Sequence, residues 1–164
     1  MTGNWLRVTP DELARATEDL DGAYDLAEAG MNGENDRWAS TDKNWAALDY
    51  LLRRQGVTVP VVFGAEAFPG TEPGNEFDEA SWGYGPPEYL TPSQVAAAAA
   101  ALAPLTEADL IRGLTPAQAQ AADRYSFYPE SEADLAGYAA ELPGAQRFFA
   151  AAAEAGDAVL CWLN

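Results

Sequence analysis

Acidic side chains are the most abundant chemical groups in this chain of 164 residues, which has 26 Asp and Glu residues and no histidine. The missing histidine excludes Ser-His and Cys-His nucleophiles, histidine metal sites and histidine pH switches. Cys161 is the single cysteine, which excludes an internal disulfide, a CxxC redox pair and a Cys-rich zinc site. The sequence therefore predicts no catalytic residue and no cofactor.

Paired carboxylates are the remaining route to catalysis, because burial can raise the pKa of one member and make it an acid. Close groups such as Glu76, Asp78 and Glu79 arise by chance among so many acids. With Asn75 they offer oxygen ligands for a hard cation, but no D-x-D-x-D-G loop is present. Residues 83–88 are no phosphate loop, because prolines remove backbone amides and no lysine follows. No metal site is predicted.

Residues 64–90 are an irregular segment, rich in Gly and Pro, that combines six acids with several aromatic residues. Trp and Tyr dominate binding energy where a surface presents them. The candidate partner-binding residues are Glu76, Asp78, Glu79, Trp82, Tyr84, Glu88 and Tyr89. The alternative is that the aromatic side chains anchor the segment to the core.

The net charge is −17, with one lysine and eight arginines. Nucleic-acid binding requires basic side chains that displace counterions from phosphates, and anionic membranes attract the same groups. Neither partner is therefore expected. Residues 1–7 contain no secretory signal, and the uncharged run 95–105 is too short to span a bilayer. A cytoplasmic protein is predicted, whose acidity either steers a basic partner or serves solubility alone.

Helix starts are the clearest local signals. Thr9, Thr91 and Thr115 each precede a proline and, three residues on, carry Glu or Gln, as a capping box does. Helical spacing predicts a first helix interrupted at Gly22, and further helices over 42–55 and 91–103. A final helical stretch begins near residue 131, and Pro143 should kink it or start a second segment.

Two short apolar runs, residues 5–8 and 158–163, predict terminal strands that pair in one small sheet. Residues 57–63 are β-branched but contain Pro60, which indicates an edge or irregular position. Cys161 falls in the last run, where a buried, inert thiol is expected. The predicted fold is a single α+β domain over residues 1–164, mostly helical.

Three motifs together resemble the YfbM-like family of bacterial domains of unknown function: D-K-x-W at a helix start, G-Y-G-P in a turn, and G-D-A-V-L near the last strand. The motif residues of the first two are Asp42, Trp45, Gly83, Tyr84, Gly85 and Pro86. The resemblance implies a compact bacterial α+β domain and no established activity. Where the family pattern often has histidine, this helix has Asp49 and Tyr50.

Trp45 admits two interpretations: either Thr41 or Asp42 caps the helix and Trp45 packs in the core, or Asp42 and Trp45 line a ligand pocket. The leading functional hypothesis is a non-enzymatic acidic protein that neutralises a basic protein partner, as an immunity protein or toxin inhibitor would. The alternatives are a small-molecule or metal-ion enzyme with a pocket near Trp45 and Tyr84, and a domain with no separable activity. A monomer is expected.

Overall fold

The computed structural model of the chain describes residues 1–33, 36–71 and 82–164. Five strands of these residues form one antiparallel sheet in the order β2-β1-β5-β4-β3. The strands are β1 (Gly3–Val8), β2 (Trp38–Asp42), β3 (Glu66–Ala67), β4 (Glu88–Leu90) and β5 (Ala158–Leu163). β1 and β5 pair with Trp5 opposite Cys161. The predicted pairing of the two terminal strands is confirmed.

Helices cover both faces of this sheet, so the α+β prediction is confirmed. They are α1 (Pro10–Glu18), α2 (Leu20–Asn32), α3 (Trp45–Arg54), α4 (Pro92–Leu102), α5 (Glu107–Ile111), α6 (Pro116–Ala121), α7 (Glu132–Ala139) and α8 (Leu142–Ala155). Within the described part of the chain, none of these helices has the length and apolarity needed to cross a membrane.

Alternate side chains of β5 pack into two different hydrophobic clusters, one on each face of the sheet. Val159 and Cys161 belong to the larger cluster, which contains residues of α3 to α8, whereas Leu160 and Trp162 belong to a smaller cluster with residues of α1 and α2. We call α1 and α2 the hairpin layer, and α3 to α8 the thick layer. Because successive strand side chains point to opposite faces, a strand covered on both faces must be apolar throughout, as this one is.

The predicted capping boxes are confirmed. At Thr9, Thr91 and Thr115 the threonine side chain accepts a hydrogen bond from the backbone amide of the third helical residue. The side chain of that third residue accepts one from the backbone amide of the threonine. Pro143 starts a second segment, since α7 ends at Ala139 and α8 begins at Leu142. These signals succeed because they act within one turn of helix.

Two helix boundaries differ from the prediction. The first helical stretch breaks at Asp19 rather than at Gly22: Asp19 is extended, with φ −143°, and its side chain caps α2 by accepting from the Gly22 amide. The third helix starts at Trp45, and the predicted caps are wrong. Asp42 is the last residue of β2, with φ 47°, and the cap position, Asn44, makes no side-chain cap hydrogen bond. Pairing of β2 with β1 overrides the local helical spacing.

Candidate functional site

The turn that carries the Gly83-Tyr84-Gly85-Pro86 motif is fixed on the end of β5. Gly83 has φ 97°, and a Cβ there would lie 2.8 Å from the carbonyl oxygen of Leu163. The Tyr84 amide donates to that same oxygen at 2.9 Å. Glycine is therefore required at position 83 by backbone contact, whereas the Tyr84 side chain is 60% exposed.

The other aromatic candidates of this segment are anchors. Trp82 is only 3% exposed and packs edge-on against Tyr24 of α2 and Trp162 of β5, with ring centroids 5.4 and 5.8 Å apart. Tyr89 is half-buried, with its ring 4.9 Å from that of Phe68. Trp82 thus offers no surface to a partner in this structure, and Tyr84 is the exposed member of the three. Glu76, Asp78 and Glu79 lie outside the described residues, as does Asn75.

Glu88 lies half-buried beside the turn, where burial raises the pKa of its carboxyl. It lines a cavity of about 180 Å³ with Tyr84, Phe63 and Cys161. Cys161 is buried as predicted, and burial, together with the charge of Glu88, raises the pKa of its thiol. Thiolate is the reactive form of cysteine, and small-molecule sites usually have 300 Å³ or more. This cavity therefore provides neither a nucleophile nor room for a substrate.

The hairpin layer is the most acidic pair of helices that the structure describes. Residues 10–32 contain seven acidic residues and Arg15 as the only basic one. Asp21, Asp25 and Glu28 of α2 are all exposed and lie on one helix face, because residues three and four apart are neighbours there. Counting the acidic and basic residues of each predicted helix would have identified this surface from the sequence.

Glu12 is the acidic residue of the hairpin layer that forms an ion pair within the described chain. Its carboxylate accepts hydrogen bonds from the guanidinium of Arg37 and from the Thr9 amide. Burial alone would raise the pKa of Glu12, but these bonds from Arg37 and Thr9 outweigh it and hold the pKa below its usual value. Glu12 therefore stays ionised and ties α1 to the start of β2.

A cleft of about 470 Å³ lies beside Trp45. Its lining side chains are the aromatic Trp45, Tyr50, Phe63 and Tyr125 and the charged Asp49, Arg53, Asp123 and Arg124, together with Ala46. Trp45 is 8% exposed, stacks on Tyr125 at 5.4 Å and meets Phe63 edge-on at 5.6 Å. The side chain is thus both a core residue, as predicted, and a wall of a cleft.

Charged groups at this cleft are only partly paired. The Arg53 Nε donates to both carboxylate oxygens of Asp49, at 2.9 and 3.0 Å. In the described residues, Arg124 has no ion-pair partner. Residues 123–125, which connect α6 to α7, were not among the candidates predicted from the sequence. A run of tyrosine and phenylalanine between two helices, in D-R-Y-S-F-Y, is the signal that could have found them.

The two pockets do not merge into the one site near Trp45 and Tyr84 that the enzymatic alternative expected. Phe63 lines both the cleft beside Trp45 and the small cavity beside Tyr84, and so lies between them. Asp42 is exposed at the end of β2 and does not line either pocket. Over residues 1–33, 36–71 and 82–164, no three His, Cys, Asp or Glu side chains form a group that could hold a metal ion.

Comparisons with known proteins bear on the family and the fold. A crystal structure of YfbM from Escherichia coli, a protein of unknown function, superposes with a TM-score of 0.69 at 16% sequence identity, covering 98% of each chain. At that identity the similarity shows the fold alone. No curated protein matches the sequence significantly. The family model described as a domain of unknown function, DUF1877, matches residues 1–162. The chain therefore belongs to the DUF1877 family, and it shares its fold with YfbM.

Proposed function

We propose that this protein is a non-enzymatic acidic binding protein that takes a basic protein partner, as an immunity protein or an inhibitor of a basic toxin would. The observation that carries the proposal is the exposed acidic stripe of Asp21, Asp25 and Glu28 on α2, in a chain of net charge −17. We name these three residues the α2 stripe. A concentrated negative potential accelerates the encounter with a basic partner and selects against acidic ones.

The α2 stripe differs from acidic residues elsewhere whose carboxylates cap helices. Asp19 caps α2, and Asp109 and Asp134 complete capping boxes at the starts of α5 and α7. No hydrogen bond or ion pair within the described chain uses the carboxylates of the α2 stripe. Seven helical residues span roughly 10 Å, so the three charges match lysines or arginines at similar spacing on a partner.

Tyr84 supports a binding role from a second position. An exposed tyrosine buries a large amphipathic surface when a partner covers it, at low cost in side-chain entropy. Tyr84 is 60% exposed and sits on a turn whose backbone is fixed against Leu163. An exposed aromatic side chain on a fixed backbone can therefore supply an apolar contact to a protein partner.

Capture from a lysate of the host organism across a salt series tests the proposal, with bound proteins identified by mass spectrometry. Three baits are compared: the unmodified chain, the stripe variant Asp21→Lys/Asp25→Lys/Glu28→Lys, and a control, Glu130→Lys/Glu132→Lys/Glu154→Lys. Both variants change the net charge equally, but the control alters exposed acids of the thick layer and its flanking loop. We expect a basic protein, retained in stoichiometric amount by the unmodified chain and the control, to be lost from the stripe variant.

Two results would count against this function. Equal loss from both variants would mean that retention follows overall charge and that the α2 stripe is not a docking surface. Failure of the unmodified chain to retain any basic protein at low salt, where screening is weakest, would reject the basic partner itself.

A further inference from the structure

The cleft beside Trp45 has the size and walls of a small-molecule site. Its volume of about 470 Å³ falls within the range of roughly 300–1,000 Å³ that such sites occupy. Tyr125 and Phe63 are 42% and 37% exposed, although each packs against Trp45 with its ring. Aromatic rings that remain partly open favour stacking with another flat ring. The walls therefore fit an aromatic ligand.

Two arginines in the lining of this cleft have nitrogens without an acceptor in the described chain. The Nε1–H of Trp45 is buried and has no acceptor among the described residues, as is also true of Trp38 in β2. Arg53 donates to Asp49 through Nε, and its terminal nitrogens make no hydrogen bond within the described chain. Arg124 makes no ion pair there. Arginine nitrogens without an acceptor in the described chain favour a ligand that supplies carboxylate oxygens.

The backbone around the cleft is held in conformations that side chains disfavour. Asp42, Asp123 and Ser126 are the non-glycine residues with positive φ in the described chain, at 47°, 48° and 54°. Asp123 and Ser126 flank Arg124 and Tyr125, and Asp42 precedes Trp45 by three residues. Backbone strain of this kind concentrates at binding and active sites, where surrounding structure enforces it. Asp123 thus lines the cleft itself, and Ser126 adjoins the lining residue Tyr125.

We propose that this cleft binds a small aromatic carboxylate. The flat walls take the ring, and the guanidinium groups of Arg124 and Arg53 bind the carboxylate through charge-assisted hydrogen bonds, which arginine makes in a bidentate geometry. Of the two lining carboxylates, Asp49 is bonded to Arg53, and Asp123 makes no ion pair in the described residues. The site is separate from the α2 stripe and does not depend on the proposed protein partner.

Titration calorimetry with three matched probes tests the charge requirement: 1-naphthoate, the neutral 1-naphthamide and the cationic 1-naphthylmethylammonium. They share the ring and differ in the group presented to the arginines. We expect 1-naphthoate to bind at least about tenfold more tightly than the amide, since a hydrogen bond to a charged group is worth about that factor or more. Tighter binding of the ammonium compound, or no binding of 1-naphthoate at millimolar concentration, would overturn the proposal.

Substitutions locate the site. Arg124→Gln should weaken 1-naphthoate by about tenfold or more, while Arg147→Gln, the same change at an exposed arginine of α8, should leave it unaltered. Equal weakening by both would mean diffuse attraction and would reject the cleft. Circular dichroism confirms that each variant is folded before its titration is interpreted.

Discussion

The hairpin layer and the thick layer cover opposite faces of one sheet in different ways. The hairpin layer packs mainly through small residues, with Ala16, Ala23 and Ala27 buried. The thick layer contributes large side chains, including Phe148 and Phe149, which both contact the Trp5 ring. Buried apolar area largely determines stabilisation. The comparison indicates that the thick layer supplies most of the stability, while the hairpin layer presents a concentrated negative charge.

The largest effect that tests this comparison is expected at Phe149. The side chain is fully buried and its ring lies 5.3 Å from Trp5 and 5.5 Å from Phe148. Phe149→Ala should lower the free energy of unfolding by about 3–5 kcal/mol, from lost burial and the cavity left behind. Urea denaturation measures it. A loss below about 1 kcal/mol would contradict the assignment of stability to the thick layer.

The hairpin layer should respond to added rather than removed volume. Ala23 of α2 is completely buried in the smaller core cluster, between the helix and the sheet. Ala23→Leu should therefore destabilise the protein by about 1–3 kcal/mol through overpacking. Ala29→Leu, at an exposed position of the same helix, is the matched control and should change stability little. Equal effects of the two leucines in thermal denaturation would show that close packing at Ala23 is not the cause.

Two glutamates should change stability in opposite directions with pH. Glu12 has a lowered pKa, so it stabilises the fold above its unfolded-state pKa, and this contribution disappears as the pH falls through the folded-state pKa. Glu88 has a raised pKa, so its charge costs stability above the folded-state value, and that cost disappears on acidification. At pH 7, Glu12→Gln should thus destabilise the protein and Glu88→Gln should stabilise it, each by up to about 1 kcal/mol.

Unfolding measured from pH 7 down to pH 3 gives both differences in one series. They should shrink as the pH falls, because a carboxyl group that becomes protonated resembles the amide that replaces it. A Glu88→Gln variant that is less stable than the unmodified chain at pH 7 would mean that Glu88 has a favourable interaction that outweighs its burial.

The smallest effect is expected on the α2 stripe. Asp25 is four residues from Asp21 and three from Glu28, so like charges face each other twice on an exposed helix. Asp25→Lys converts both repulsions into attractions and should raise the free energy of unfolding by roughly 0.5–1 kcal/mol at low salt. The gain should shrink in 0.5 M salt, because exposed charges are screened. A gain independent of salt would assign the effect to helix propensity instead.

Local signals in the sequence predicted the parts of the fold that depend on a few neighbouring residues. The capping boxes, the break at Pro143 and the apolar run of β5 are of this kind. β2 was not predicted, because Trp38–Asp42 lacks a run of β-branched residues and becomes a strand only by pairing with β1. The burial of Trp82 likewise depends on Tyr24 and Trp162, which are distant in sequence.

The candidate site likewise combines a residue that a local motif identifies with residues that only the folded chain brings near it. Trp45 could be singled out from its motif, but the cleft joins it to Phe63 and Tyr125, from two other parts of the chain. No spacing rule relates positions so far apart, and only the packing of α3 against the following segments brings them together. The acidic density of the hairpin layer, by contrast, was available in the sequence and needed only a count taken element by element.

The position of β5 in the sheet has a consequence for synthesis on the ribosome. β1 pairs with β2, and β4 pairs with β3, but β5 alone joins these two pairs. Two-stranded units are marginally stable by themselves, and β5 is translated after every other described element. The nascent chain should therefore remain open, with apolar surfaces of both layers accessible to chaperones, until residues 158–163 emerge and the whole domain closes in one cooperative step.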